Sequence, residues 1–140
     1  MAATLSELES RRRQLYQELV EVGDFRPGMI SVNYRRCGKG NCSCAQPGHQ
    51  GHGPQYLWST TQNNHSRAQV LHLGPELERV EGEIANYRRF SELCGELIRV
   101  NEQICRLRPV PEIGDEQELA RVKKTLQQKY SRRRRKKSSG

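Results

Sequence analysis

At 140 residues the chain is long enough for one ordinary domain and too short for a second sizeable core. Apolar residues make up 34% and charged residues 29%, which implies a thin core built from helical stripes, and the net charge of +8 invites a polyanionic partner. No run of 18 apolar residues and no basic-then-apolar leader is present, so the expectation is a cytoplasmic protein with no membrane span, its thiols reduced or metal-bound.

Residues 1–24 form the first predicted segment. Leu5, Leu8, Arg12, Leu15, Leu19 and Val22 are spaced alternately three and four apart, which predicts an amphipathic helix over 4–22 with a heptad-like, coiled-coil-like seam. Thr4 or Ser6 would cap it, and Gly23 would end it. The seam can serve packing within the chain or a homodimer.

Residues 25–75 are predicted to be a small antiparallel sheet of about three strands. Met29–Arg36 alternates, with Ile30, Val32 and Tyr34 on one face. Gly53-Pro54 turns the chain into an aromatic and β-branched segment, Gln55–Thr61. Asn63-Asn64 suits a tight hairpin turn, and 67–73 would return. Such a sheet is marginal alone and needs a metal or a packed helix.

Residues 76–108 read as a long helix opened by Pro75, with apolar positions from Leu77 to Leu107 and Asn101 inside the seam. Cys94 and Cys105 lie on its second stripe and are read as core residues. Pro109 and Pro111 end it. A linker and weaker helix occupy 109–131, marked by Leu119, Val122, Leu126 and Tyr130, and 132–140 is expected to be a disordered basic tail. The fold class is thus α+β: a small antiparallel sheet carrying a zinc knuckle, packed on a long helix and an N-terminal amphipathic helix.

Between the first two strands lies the densest chemistry. Cys37, Cys42 and Cys44 fall within eight residues, and His49 and His52 follow. Three thiolates and one imidazole are a common structural zinc set, so the cofactor expected is zinc. The spacing leaves the fourth ligand open between His49 and His52. A redox thiol cluster and free reactive cysteines are the competing readings.

The string Tyr34-Arg-Arg-Cys37-Gly-Lys-Gly-Asn-Cys42-Ser-Cys44, then Gly51-His-Gly-Pro54, a hairpin and a helix bearing Tyr87-Arg-Arg-Phe90, resembles a small prokaryotic zinc-knuckle-like family without a settled biochemical function. Members of that family are often encoded near transposases and other mobile elements. The resemblance covers roughly residues 26–108. It implies that His52, the histidine before Gly-Pro, is the fourth ligand, and it implies nucleic-acid business. The chain departs from the family pattern at Asn63-Asn64 and in its long basic tail.

A catalytic role is not expected. The chain has only two aspartates, Asp24 and Asp115, and no Asp or Glu between Phe25 and Pro75, so a catalytic zinc would lack a local general base. The same stretch holds five bases, Arg26, Arg35, Arg36, Lys39 and Arg67. Four of them, Arg35, Arg36, Lys39 and Arg67, are expected to cluster around the knuckle as nucleic-acid contacts, joined by the tail residues Arg132, Arg133, Arg134, Arg135, Lys136 and Lys137. Tyr56 and Trp58 could stack on bases or simply form core beneath the long helix. The function expected is a non-catalytic, zinc-binding, nucleic-acid-binding accessory protein, with DNA preferred over RNA and a transposase or other mobile-element protein as a further partner. The other reading is a protein–protein adaptor that uses the helical seams.

Overall fold

The computed structural model describes the backbone of residues 2–138 and the side chains of residues 2–131. The chain divides into two units, 1–107 and 108–140. Among the described residues the first unit contains helix α1 (Leu5–Glu21), strands β1 (Met29–Arg35), β2 (His52–Gln62) and β3 (His65–Leu71), and helix α2 (Pro75–Leu107). The second unit contains helix α3 (Glu116–Ser138). This is the α+β arrangement expected. No helix among the described residues is long and apolar enough to cross a membrane.

Helix α1 starts where Thr4 closes a capping box: its hydroxyl accepts from the Glu7 N–H, and the Glu7 carboxylate accepts from the Thr4 N–H. The seam read from the sequence faces α2 in the same chain. Leu8 and Leu15 are buried against Leu93, Val100 and Ile104, with Leu5, Leu19, Val22 and Leu97 around them. Arg11 grips Glu96 through two 2.8 Å hydrogen bonds, and Arg89 pairs with Glu18, so the helices run antiparallel. Arg12 donates to the Oδ1 atom of Asn101, whose Nδ2 donates to the Leu97 carbonyl. The polar pair inside the apolar seam therefore registers α1 on α2.

The three strands form one antiparallel sheet in the order β1-β2-β3. Asn63 and Asn64 take φ of 50° and 64°, the left-handed pair that a two-residue hairpin requires. Helix α2 covers one face. Leu71, Val80 and Ile84 form a second buried cluster, joined by Ile30, Tyr56, Trp58 and Leu77. Of the β1 residues expected on that face, only Ile30 is half-buried, and Val32 and Tyr34 are exposed. Strand β3 also starts and ends two residues earlier than 67–73, because the Asn-Asn turn brings His65 straight into register with Gln62.

A short segment between α1 and β1 fixes the sheet to α2. The Phe25 ring stacks on Phe90 at 4.6 Å and meets Tyr87 at 5.9 Å. Arg26 lies over the Trp58 ring at 4.9 Å and pairs at 3.1 Å with Glu83, a carboxylate 9% exposed. The Trp58 indole N–H donates to the Pro27 carbonyl. Gly28, at φ +116°, leaves room for this contact, since a Cβ there would stand 2.4 Å from the Ser59 carbonyl oxygen.

Two expectations about the helices are corrected. Cys105 is exposed and Cys94 half-buried, because the stripe they share extends beyond the end of the sheet and faces away from α1. Helix α3 does not stop near residue 130 but continues to Ser138, as expected of consecutive Arg and Lys residues with high helix propensity and no Gly or Pro before Gly140. The side chains of Arg132, Arg133, Arg134, Arg135, Lys136 and Lys137 lie outside the described residues.

Candidate metal centre

The loop from β1 to β2 spans residues 36–51 and is folded by its own backbone. Cys42 N–H donates to the Lys39 carbonyl, Ala45 to Cys42, Gln46 to Ser43, and His49 to Gln46, each spanning three residues. These consecutive turns coil the chain so that Cys37, just past β1, meets Cys44 in a single 3₁₀ turn, Ser43–Ala45. Long loops without secondary structure of their own are uncommon in compact domains unless they carry a function or a clasp.

His52 arrives from the other side, as the first residue of β2. Asn33 pairs with Gln55 but Arg35 pairs with His52, so β2 carries one extra residue at this point. That bulge shifts His52 out of the alternation followed by Tyr56 and Trp58, which point toward α2, and onto the parity of Arg35. Gly53 sits in the bulge at φ +149°, where a Cβ would stand 2.8 Å from the Asn33 carbonyl oxygen. The expected turn at Gly53-Pro54 is thus an irregularity inside a strand that begins at His52.

The ligand atoms of Cys37, Cys42, Cys44 and His52 all lie within 4.8 Å of one another. The Sγ atoms of Cys37 and Cys44 are 3.5 Å apart, and Cys42 Sγ is 3.2 Å from His52 Nε2. A tetrahedral ion with arms of about 2.3 Å to sulfur needs donor–donor edges of about 3.8 Å, so four donors are already spaced for one ion. Cys44 is fully buried, Cys42 half-buried, and Cys37 and His52 are exposed. The other histidine is committed elsewhere: His49 Nδ1 accepts from the Gly51 N–H at 2.9 Å.

The site's electrostatics suit a cation. The Lys39 backbone N–H, then His52 and Cys44, hold the Cys37 thiol down at about 6. Cys42 is lowered, chiefly by the Cys44 backbone N–H. The Cys37 N–H pulls hardest on Cys44, but burial and the neighbouring sulfurs together outweigh it and raise that thiol. His52 is raised, first by its hydrogen bond to Cys37 and then by Cys42. Three sulfurs within 4.8 Å of one another, with the Cys37 and Cys42 thiols shifted toward the thiolate, form a site that a divalent cation would suit. Cys37, Cys42, Cys44 and His52 can therefore hold a metal ion.

The predicted nucleic-acid contacts do not form one patch. Arg35, Arg36 and Lys39 are exposed beside the ligands, with the Arg36 guanidinium donating to the His49 carbonyl at 3.2 Å. Arg67 is elsewhere. It pairs with Thr60, eight residues along β2 from His52, which at about 3.3 Å per residue is roughly 26 Å away. Its side chain donates to Gln62. Sequence proximity misled because the β2–β3 hairpin carries Arg67 to the far end of the sheet. Arg26 is also committed, to Glu83 and Trp58. Tyr56 and Trp58 are half-buried and pack against the cluster under α2, in line with the second of the two readings, and Arg26 lies over the Trp58 ring.

Sequence reasoning missed the Arg26–Glu83 pair. Its only signal was a glutamate at a position on α2 that turns toward the sheet, between Val80 and Ile84.

No curated protein and no solved structure matches the chain. A domain of unknown function, DUF6788, matches residues 5–82, which takes in α1, the whole sheet, all four candidate ligands and the first turns of α2. The chain belongs to the DUF6788 family.

Proposed function

We propose that the protein is a non-catalytic, zinc-binding and nucleic-acid-binding accessory factor acting in the cytoplasm, in the service of a mobile element and its transposase. The observation that carries this reading is a Cys₃His cluster in a stretch, Phe25–Pro75, that contains no acid, with Arg35, Arg36 and Lys39 exposed beside the ligands. Zinc is the ion of choice because three thiolates and an imidazole at tetrahedral spacing suit it, and hard cations prefer oxygen. The ion's role is structural: it closes a long loop on a three-stranded sheet that is marginal without it. With no carboxylate in the stretch to act as a general base, the site is suited to holding the loop and poorly suited to activating water. The link to mobile elements rests on the motif resemblance alone.

The test is DNA binding by the zinc-loaded full chain across a salt series. Log affinity should fall against log salt with a slope near −0.9 for each phosphate contacted. Changing Arg35, Arg36 and Lys39 together to Gln should flatten that slope. Binding lost on deleting 132–140 but untouched by the triple change would reduce the knuckle to scaffold, and no binding at any salt would refute the reading.

One observation favours the adaptor reading. The face of α2 that packs on the sheet continues past it, leaving Ile98 60% exposed and Cys105 exposed beside it. If this strip pairs two copies, Ile98→Lys will halve the mass measured by sedimentation. An unchanged mass removes the strip as a homodimer surface.

A further inference from the structure

Helix α3 differs from the other two helices in where its charges stand. Three bases of α1 and α2 meet acids: Arg11 with Glu18 and Glu96, Arg89 with Glu18, and Arg79 with Glu83. In α3 the acids are confined to the start. Asp115 caps the helix through the Gln117 N–H, and Glu116 and Glu118 occupy the first turn. From Leu119 to Gly140 there are ten Lys and Arg residues and no acid. Lys123, Lys124 and Lys129 have no Asp or Glu three or four positions away, so no neighbour along the helix can neutralise them.

From 116 to 131 every residue is exposed except Val122, which is half-buried. The helix is favoured locally by its cap, by acids at its positive end and bases at its negative end, and by strong helix formers. It is opposed by repulsion among its own like charges. A polyanion laid along it removes that opposition.

We propose that α3 itself, from Arg121 onward, is the principal nucleic-acid-binding element, and that its partner is duplex DNA bound in a groove. This rests on the nucleic-acid reading above and deepens it, moving the site from a disordered tail to a preformed helix of the second unit. From Leu119 to Ser138 the helix is about 30 Å long, and the major groove, about 12 Å wide, accepts a helix. A single strand is disfavoured as the partner, because it is held on open aromatic faces. Helix α3 carries a single aromatic residue, Tyr130, and Lys129 lies over its ring at 5.9 Å. A membrane surface fits less well, because the apolar stripe of Leu119, Val122, Leu126 and Tyr130 ends where the densest charge begins, whereas an interfacial helix needs both along its length.

The experiment uses the zinc-loaded full chain, a short mixed-sequence DNA duplex and fluorescence anisotropy over a salt series. Gln127→Pro keeps every charge but breaks the helix between Lys124 and Lys129, and it should weaken duplex binding about tenfold or more. Gln127→Ala should leave binding unchanged. Lys123→Gln with Lys124→Gln should flatten the salt slope by about 2, since each lost phosphate contact removes about 0.9. A wild-type chain that binds the duplex while Gln127→Pro and the lysine changes have no effect would overturn the helix proposal and leave the broader reading standing. A wild-type chain that binds no duplex would overturn both. Tight binding to phosphatidylserine vesicles, with no preference for the duplex, would overturn the choice of partner.

Discussion

Arg26→Ala should destabilise the 1–107 unit far more than the loss of one arginine near a surface would suggest. The guanidinium makes two contacts: an ion pair with Glu83 at 3.1 Å and a cation–π contact with Trp58 at 4.9 Å. Glu83 is 9% exposed, and the other arginine near it, Arg79, is 3.9 Å away with most of its side chain in solvent. Removing one partner of a buried pair costs about 3–5 kcal/mol, because the remaining charge stays desolvated and unpaired. Since the Arg26 side chain keeps 28% exposure, the low end applies, and we expect about 3 kcal/mol. For a domain of this size that lowers Tm by roughly 15 °C. Urea unfolding of the zinc-loaded chain measures it, and a cycle with Glu83→Gln gives the mechanism. The double variant should recover part of the loss, with a coupling of about 2 kcal/mol, because an amide in place of the carboxylate removes the stranded charge. A single-variant cost below about 1 kcal/mol, or a double variant equal to the sum of the singles, would refute the reasoning.

The remaining predictions concern the helix pair, the bulge and the tryptophan. Leu15→Ala, at a side chain with no exposure, should cost about 3 kcal/mol by urea unfolding and leave zinc stoichiometry intact, since the α1–α2 cluster is separate from the metal centre. Gly53→Ala should destabilise by more than about 1 kcal/mol and weaken zinc binding, because the new Cβ meets the Asn33 carbonyl and disturbs the bulge that aims His52. The emission of Trp58, the only tryptophan, should stay unquenched when DNA binds but shift to the red in urea. Quenching by DNA would place that ring at the interface and contradict its position under α2.

Where the sequence is periodic, the elements are legible in it. The spacing of Leu8 and Leu15 placed α1, Pro75 opened α2, and Asn63-Asn64 placed the hairpin turn, because each is a local signal with a local physical cause. The three cysteines of the metal centre were legible for the same reason, since three thiols within eight residues are a local signal of metal-ligand chemistry. His52 was not, as spacing alone could not separate it from His49. The choice turns on a one-residue bulge in β2, which depends on pairing with β1 residues seventeen or more positions earlier, Arg35 opposite His52 being the nearest pair. Long-range register also decided the misplacement of Arg67 and the commitment of Arg26 to Glu83. Cys105 is exposed although it shares an apolar stripe, because periodicity reports which residues share a face and not what covers it. Helix α3 runs longer than its apolar spacing predicts, because Arg and Lys favour a helix even in a charge run whose composition alone suggests disorder.

Cys37, Cys42, Cys44 and His52 are expected to close on one zinc ion. Native mass spectrometry of chain purified without chelator tests it most directly, beside the variants Cys44→Ser and His49→Ala. One zinc per chain is expected in the wild type and in His49→Ala, and none in Cys44→Ser, whose missing sulfur is the fully buried one. A wild-type chain that carries no zinc and takes none up when it is added, or a Cys44→Ser chain that retains a full ion, would contradict it.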